Sequence, residues 1–123
     1  MVEQVSAFLW KRKNETQNKF ADYLNKADLV IACFGHSSDT EGEASDRTFE
    51  LPEVDKKMLA SLSGCKKPVI GIVNAGGNIE MQKWEPSLKG LIWGFYGGQE
   101  AGTAIGEALF GKVNPSGKFT YDF

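Results

Sequence analysis

A chain of 123 residues, 41% hydrophobic and 24% charged, has the composition of one ordinary globular domain and not of a disordered segment. A net charge of -2 gives no electrostatic reason to expect nucleic acid or an anionic membrane as partner, and the one basic cluster, Lys11-Arg12-Lys13, reads as a solvated face. Two cysteines are too few for a disulfide framework, a single histidine argues against a structural zinc site, and residues 1–10 hold no apolar run of signal-peptide or membrane-spanning length. No metal or cofactor is expected, and the compartment stays open.

Residues 14–27 carry Phe20, Tyr23, Leu24 and Ala27 at the spacing of an amphipathic helix. Residues 29–34 then form the first clear strand. Its run of apolar residues lacks alternation, which predicts burial on both faces, with Cys33 as a small buried hydrophobe. After a polar stretch, Pro52 can open a helix because its missing N–H costs nothing in the first turn. Val54, Met58, Leu59 and Leu62 form one face of that helix, and Gly64 is suited to end it. Residues 68–73 are a second buried strand, closed by Asn74-Ala75-Gly76-Gly77, and residues 90–95 are a third. A helix follows over about residues 99–110, with Ala101, Ile105, Ala108 and Leu109 inward. Beyond the turn-rich residues 111–117, residues 119–123 read as a last short strand.

This order predicts an α/β fold: an open, mostly parallel sheet with helices on both faces, a three-layer, flavodoxin-like arrangement. About four strands fall below the usual five or six, which points to part of a larger domain.

The polar stretch after the first strand holds the chemistry. Asp39, Glu41, Glu43, Asp46 and Glu50 crowd around a single Arg47, and no apolar residue larger than Ala lies between Phe34 and Phe49. Loops at the C-terminal ends of parallel strands are where α/β folds place their sites. Carboxylates clustered there suit proton transfer or metal and sugar binding. Other motifs are weaker. Asn74-Ala75-Gly76-Gly77 lacks dinucleotide and phosphate-loop spacing. Gly97-Gly98-Gln99-Glu100 reads as a helix start with Glu100 complementing the dipole. Trp84, Trp93 and Tyr96 could stack on sugars, although Trp93 lies within a strand and reads as core. His36 suits a structural hydrogen bond or a sugar contact. No nucleophile elbow or hydrolase triad is present.

In order, Ala27-Asp28-Leu29-Val30-Ile31, Ser38-Asp39-Thr40-Glu41-Gly42-Glu43 running into Asp46-Arg47 and Leu51-Pro52, and Val73-Asn74-Ala75-Gly76-Gly77 match one family, joined by Gly98-Gln99-Glu100-Ala101-Gly102-Thr103-Ala104-Ile105 with Leu109-Phe110-Gly111 and Asn114-Pro115-Ser116-Gly117-Lys118. The chain resembles the C-terminal α/β sandwich domain of glycoside hydrolase family 3, the β-glucosidase and β-xylosidase family. The likeness runs from about residue 27 to 120 and departs at Gly97, where the family commonly has Pro. It divides the chain into a leading segment and helix, residues 1–26, and an incomplete domain, residues 27–123.

The resemblance implies a retaining glycosidase acting on β-linked oligosaccharides or glycosides. Its nucleophilic Asp would sit on a separate barrel-like domain, and its general acid/base Glu on the loop matching residues 38–47. Glu43 is the better match for that glutamate and Glu41 the second. Two residues apart in extended backbone, they face opposite sides. Crowding by Asp39, Glu41 and Asp46 is the kind of arrangement that lifts a carboxyl toward what an acid catalyst needs. Arg47 is expected to pair with Asp46 or Glu41 and hold the loop in shape. His36, Ser38, Asp39 and Arg47 are implied as substrate contacts. No stretch matches the nucleophile motif, so the chain alone is expected to be inactive. Two other readings compete: a non-catalytic carbohydrate-binding or interaction domain of the same fold, and a flavodoxin-like nucleotide binder. The acidic loop repels phosphate and ranks the latter last.

Overall fold

The structure, a computed structural model, describes residues 17–44 and 46–118. Three strands, β1 (Val30–Gly35), β2 (Val69–Asn74) and β3 (Gly90–Trp93), form one parallel sheet in the order β1-β2-β3. Helix α1 (Gln17–Lys26) precedes the sheet, α2 (Glu53–Leu62) links β1 to β2, and α3 (Ala101–Leu109) follows β3. The strand expected over residues 119–123 lies outside the described residues, as does most of the leading segment.

Alternation along the strands sorts the sheet into two faces. On one, Val30, Ala32 and Phe34 of β1 and Val69 and Val73 of β2 meet Leu59 and Leu62 of α2, with Leu51, Ala75, Ile79 and Trp84 completing the core. The Trp84 indole meets the Phe34 ring edge-on, centroids 5.1 Å apart, a geometry contributing roughly 0.5–1.5 kcal/mol beyond burial. Gly71 leaves room there: a Cβ would come within 2.6 Å of Leu88. On the other face, Ile105 of α3 lies over Gly94, where a Cβ would approach it to 2.9 Å. Helices thus flank both faces, as the sequence predicts for an open parallel α/β sheet.

Several local expectations are corrected. Burial on both faces holds for Val30, Ile31 and Ala32 but fails at Cys33, which is exposed. It projects away from the α2 face on a strand that pairs on one side only among the described residues. Trp84 is buried, its Nε1–H donating to the Glu80 carbonyl at 2.7 Å, so it offers no sugar platform. Tyr23 and Val54 are exposed although they belong to the apolar stripes of their helices. Pro52 caps α2 instead of entering its first turn: its carbonyl accepts from the amides of Asp55 and Lys56. Helix α3 begins as a 3-10 turn over Gly98–Glu100, and Glu100 makes no side-chain capping bond. Finally, β3 stops at Trp93, and Phe95, expected within it, has a left-handed φ of +48° that a strand does not accommodate.

Candidate functional site

All three strands run parallel, so the segments that follow them gather at one edge of the sheet. After β1 the backbone leaves through Gly35 at φ +136°, where a Cβ would stand 2.0 Å from the Asn74 carbonyl oxygen. Only glycine fits that crossing. Two interactions fix the exit: the Gly35 amide donates to Asp55 Oδ2 at 3.1 Å, and the His36 amide donates to the Asn74 carbonyl at 2.8 Å. Burial pushes the Asp55 carboxyl up, against the opposing pull of the Gly35 amide and His36.

His36 is buried beneath the loop. Its Nδ1 lies 3.1 Å from the Thr40 hydroxyl, and Thr40 Oγ1 also accepts from the Ser37 amide at 3.0 Å. The Ser37 carbonyl collects the amides of Thr40 and Glu41, winding residues 37–41 into a tight turn. Burial holds the imidazole below its ordinary pKa, assisted by the Arg47 charge and opposed by Glu41, Asp55 and the Glu50 carbonyl. At 6% exposure the ring offers little surface to a ligand.

Glu41 is the centre of the arrangement. Its Oε1 accepts from Arg47 Nε at 2.8 Å, and its Oε2 accepts from the Gly76 amide at 3.1 Å and from the Tyr96 hydroxyl. Arg47 is spread further: Nη1 donates to the carbonyls of Thr48 at 3.0 Å and Asn78 at 2.9 Å. Burial alone would raise the Glu41 carboxyl, but the Tyr96, Arg47 and Gly76 donors outweigh it and hold the pKa at about 2. Tyr96 moves the other way, raised by burial and by the neighbouring carboxylate. One carboxylate therefore joins the segments that follow β1, β2 and β3.

The double glycine after β2 makes this possible. A Cβ at Gly76 would come within 2.8 Å of the Tyr96 ring, and one at Gly77 within 3.0 Å of Arg47 Nη2. The two bare positions form the bed on which ring and guanidinium lie. Non-glycine residues with positive φ stand on either side, Ala44 at 56° and Phe95 at 48°. Such backbone is held only where its surroundings impose it.

The expected pairing of Arg47 with Glu41 is thus present, and the two glutamates do diverge. Glu41 turns inward, whereas Glu43 is exposed and makes no side-chain hydrogen bond or ion pair with a described residue. Ser38, Asp39 and Asp46 are exposed as well. Tyr96, Gly76, Asn78 and Asp55 were not foreseen as partners. The signal available was topological: Gly76 and Tyr96 follow strands parallel to the one that opens the acidic loop. A separate groove, lined by Leu51, Leu59, Ala60 and Trp84 among others, includes none of residues 36–47. Among the described residues no three His, Cys, Asp or Glu side chains group as metal ligands, and no helix is long and apolar enough to cross a membrane.

An open parallel α/β domain presenting a braced acidic loop at its strand ends is the class that fold and site define. Within that class, the chain belongs to glycoside hydrolase family 3: the model of the glycosyl hydrolase family 3 C-terminal domain matches residues 2–123. A probable beta-glucosidase I of Emericella nidulans is 31% identical over 112 residues, 90% of this chain and 13% of that protein. A xylan 1,4-beta-xylosidase of Xylanibacter ruminicola is 36% identical over 111 residues, 81% of this chain and 13% of that protein. Among solved structures, the beta-glucosidase of Listeria innocua in complex with isofagomine superposes with a TM-score of 0.76 at 28% identity, covering 86% of this chain and 15% of that one. The beta-glucosidase of Kluyveromyces marxianus in complex with glucose gives 0.74 at 27%, covering 82% and 12%. The chain therefore spans a small part of the length of its relatives.

Proposed function

We propose that this chain supplies the general acid/base loop of a retaining β-glycosidase of β-glucosidase or β-xylosidase type, with Glu43 as the acid/base. The nucleophilic Asp sits on a barrel-like domain that completes the site. The observation that carries the choice of glutamate is that both oxygens of Glu41 are engaged. A carboxylate with a pKa of about 2 and both oxygens engaged has no proton to give at neutral pH. Glu43 is exposed on the same loop and unengaged by any described side chain.

In the first step the barrel Asp attacks the anomeric carbon while Glu43 passes its proton to the departing glycosidic oxygen. In the second, Glu43, now a carboxylate, takes a proton from water as that water displaces the Asp and releases the sugar. The two carboxyl groups need a separation of about 5–5.5 Å, which the barrel domain must provide across the interface. Ser38 and Asp39 are the exposed positions for sugar hydroxyls. His36 and Arg47 serve that subsite from beneath, by holding the loop.

The test uses a protein carrying both domains. Glu43→Gln should cost about 10²–10⁴-fold on glycosides with poor leaving groups and far less on activated aryl glycosides, which depart without acid assistance. Added azide should restore turnover of the activated substrates, because a small anion attacks the intermediate without a general base. Uniform losses without azide rescue would overturn the assignment, and the same pattern in Glu41→Gln alone would move the role to that residue. Sugar binding with no hydrolysis in the unmutated protein would leave a carbohydrate-binding domain.

A further inference from the structure

The Tyr96 hydroxyl, the Gly76 amide and the Arg47 guanidinium converge on Glu41, which stands two residues before Glu43 in the same loop. We propose that Tyr96 is a positioning residue: acting through Glu41, its hydroxyl fixes where the Glu43 carboxyl stands over the sugar. The inference rests on the assignment of Glu43 made above and adds a residue that the acidic loop itself does not contain.

Three features set Tyr96 apart from a tyrosine that merely fills surface. It follows Phe95, whose φ of +48° is a backbone conformation that a non-glycine residue rarely adopts. Its ring demands a bare Gly76 beneath it. And its hydroxyl shares Oε2 of Glu41 with the Gly76 amide while Arg47 takes Oε1, so both carboxylate oxygens are held. Arg47 alone would leave Glu41 free to rotate about its Oε1 contact. Tyr96 and Gly76 remove that freedom by tying the same side chain to the ends of the other two strands. From Glu41 the chain passes through Gly42 to Glu43 and then Ala44 at φ 56°, so a shift at Glu41 carries directly into Glu43. General-acid catalysis is sensitive to such a shift because the proton must lie within hydrogen-bonding reach of the leaving oxygen.

The experiment is a leaving-group comparison in a protein carrying both domains. Tyr96→Phe keeps the ring on Gly76 and removes only the hydroxyl. It should lower kcat on poor-leaving-group glycosides by roughly 10- to 100-fold, the cost of misplacing a reacting group by about an ångström. KM should stay nearly constant and activated aryl glycosides should be largely spared. In a Glu43→Gln background the same change should have little further effect on the leaving-group ratio, since two residues acting on one step are not additive. Glu41→Asp, which keeps the charge but shortens the arm, is the second probe and should give the same selective loss. If Tyr96→Phe and Glu41→Asp depress both substrate classes equally, or if Tyr96→Phe multiplies fully with Glu43→Gln, the residue only stabilises the fold and the proposal is wrong. Should Glu43→Gln itself lack leaving-group dependence, the assignment beneath it has failed instead, so the two failures are told apart.

Discussion

At the scale of single residues, the acidic loop is organised by one engaged carboxylate, and its pH response follows from the sign of its shift. The Glu41 carboxyl lies at about 2 in the folded chain against 4.5 for the ordinary side chain, so folding favours its ionised form. The stability it contributes is complete above the ordinary value and is lost as pH falls through the window from about 4.5 to about 2. Glu41→Gln should therefore lower Tm clearly at pH 6, with the difference from the unmutated chain shrinking toward pH 2. A difference that does not change over that window would mean the carboxylate is not held by its three donors. The pairing with Arg47 was legible in the sequence, because one cation among five nearby acids has few choices and lies six residues away. The Tyr96 hydroxyl was not: it reaches Glu41 across 55 residues, and no periodicity reports a contact of that range.

At the scale of elements, apolar runs marked all three strands, since a strand buried between layers needs no alternation. Their ends were less legible, because ends depend on neighbours. Strand β3 ends at Trp93, two residues before Phe95 with its left-handed φ of +48°. At Cys33 a residue whose apolar run promised burial is exposed, although Ile31 on the same face is buried. The same layering predicts a gradient of local stability. Strand β2 is hydrogen-bonded on both sides and carries the fully buried Val73, whereas α3 has no buried residue. Amide hydrogen exchange should find Val73 and its neighbours in β2 slowest and the amides of α3 among the first to exchange. Equal protection of α3 and β2 would show that α3 is docked far more firmly than its contact at Gly94 suggests.

At the scale of the whole molecule, fold class and family were legible because four short motifs follow one another in order, two of them tied to the site at the strand ends. The double glycine is the bed for Tyr96 and Arg47, and the acidic loop follows the strand that exits through Gly35. The lack of a nucleophile motif leads to the expectation of an incomplete reaction centre. A retaining mechanism needs a second carboxylate, unencumbered and about 5–5.5 Å from the acid/base. Glu41 is ionised but has both oxygens engaged, by Arg47, Gly76 and Tyr96, which tie it to the segments after the strands. Asp39 and Asp46 are exposed on the loop, and no described side chain holds either in a fixed direction. A nucleophile without fixed direction forfeits the proximity that makes covalent glycosyl transfer fast. This chain by itself should therefore show no turnover of aryl β-glucosides or β-xylosides above buffer, and adding azide should change nothing because no glycosyl intermediate forms. Turnover by homogeneous protein that a single substitution at Asp39, Glu41 or Asp46 abolishes would locate a nucleophile within the loop and overturn the two-domain reading.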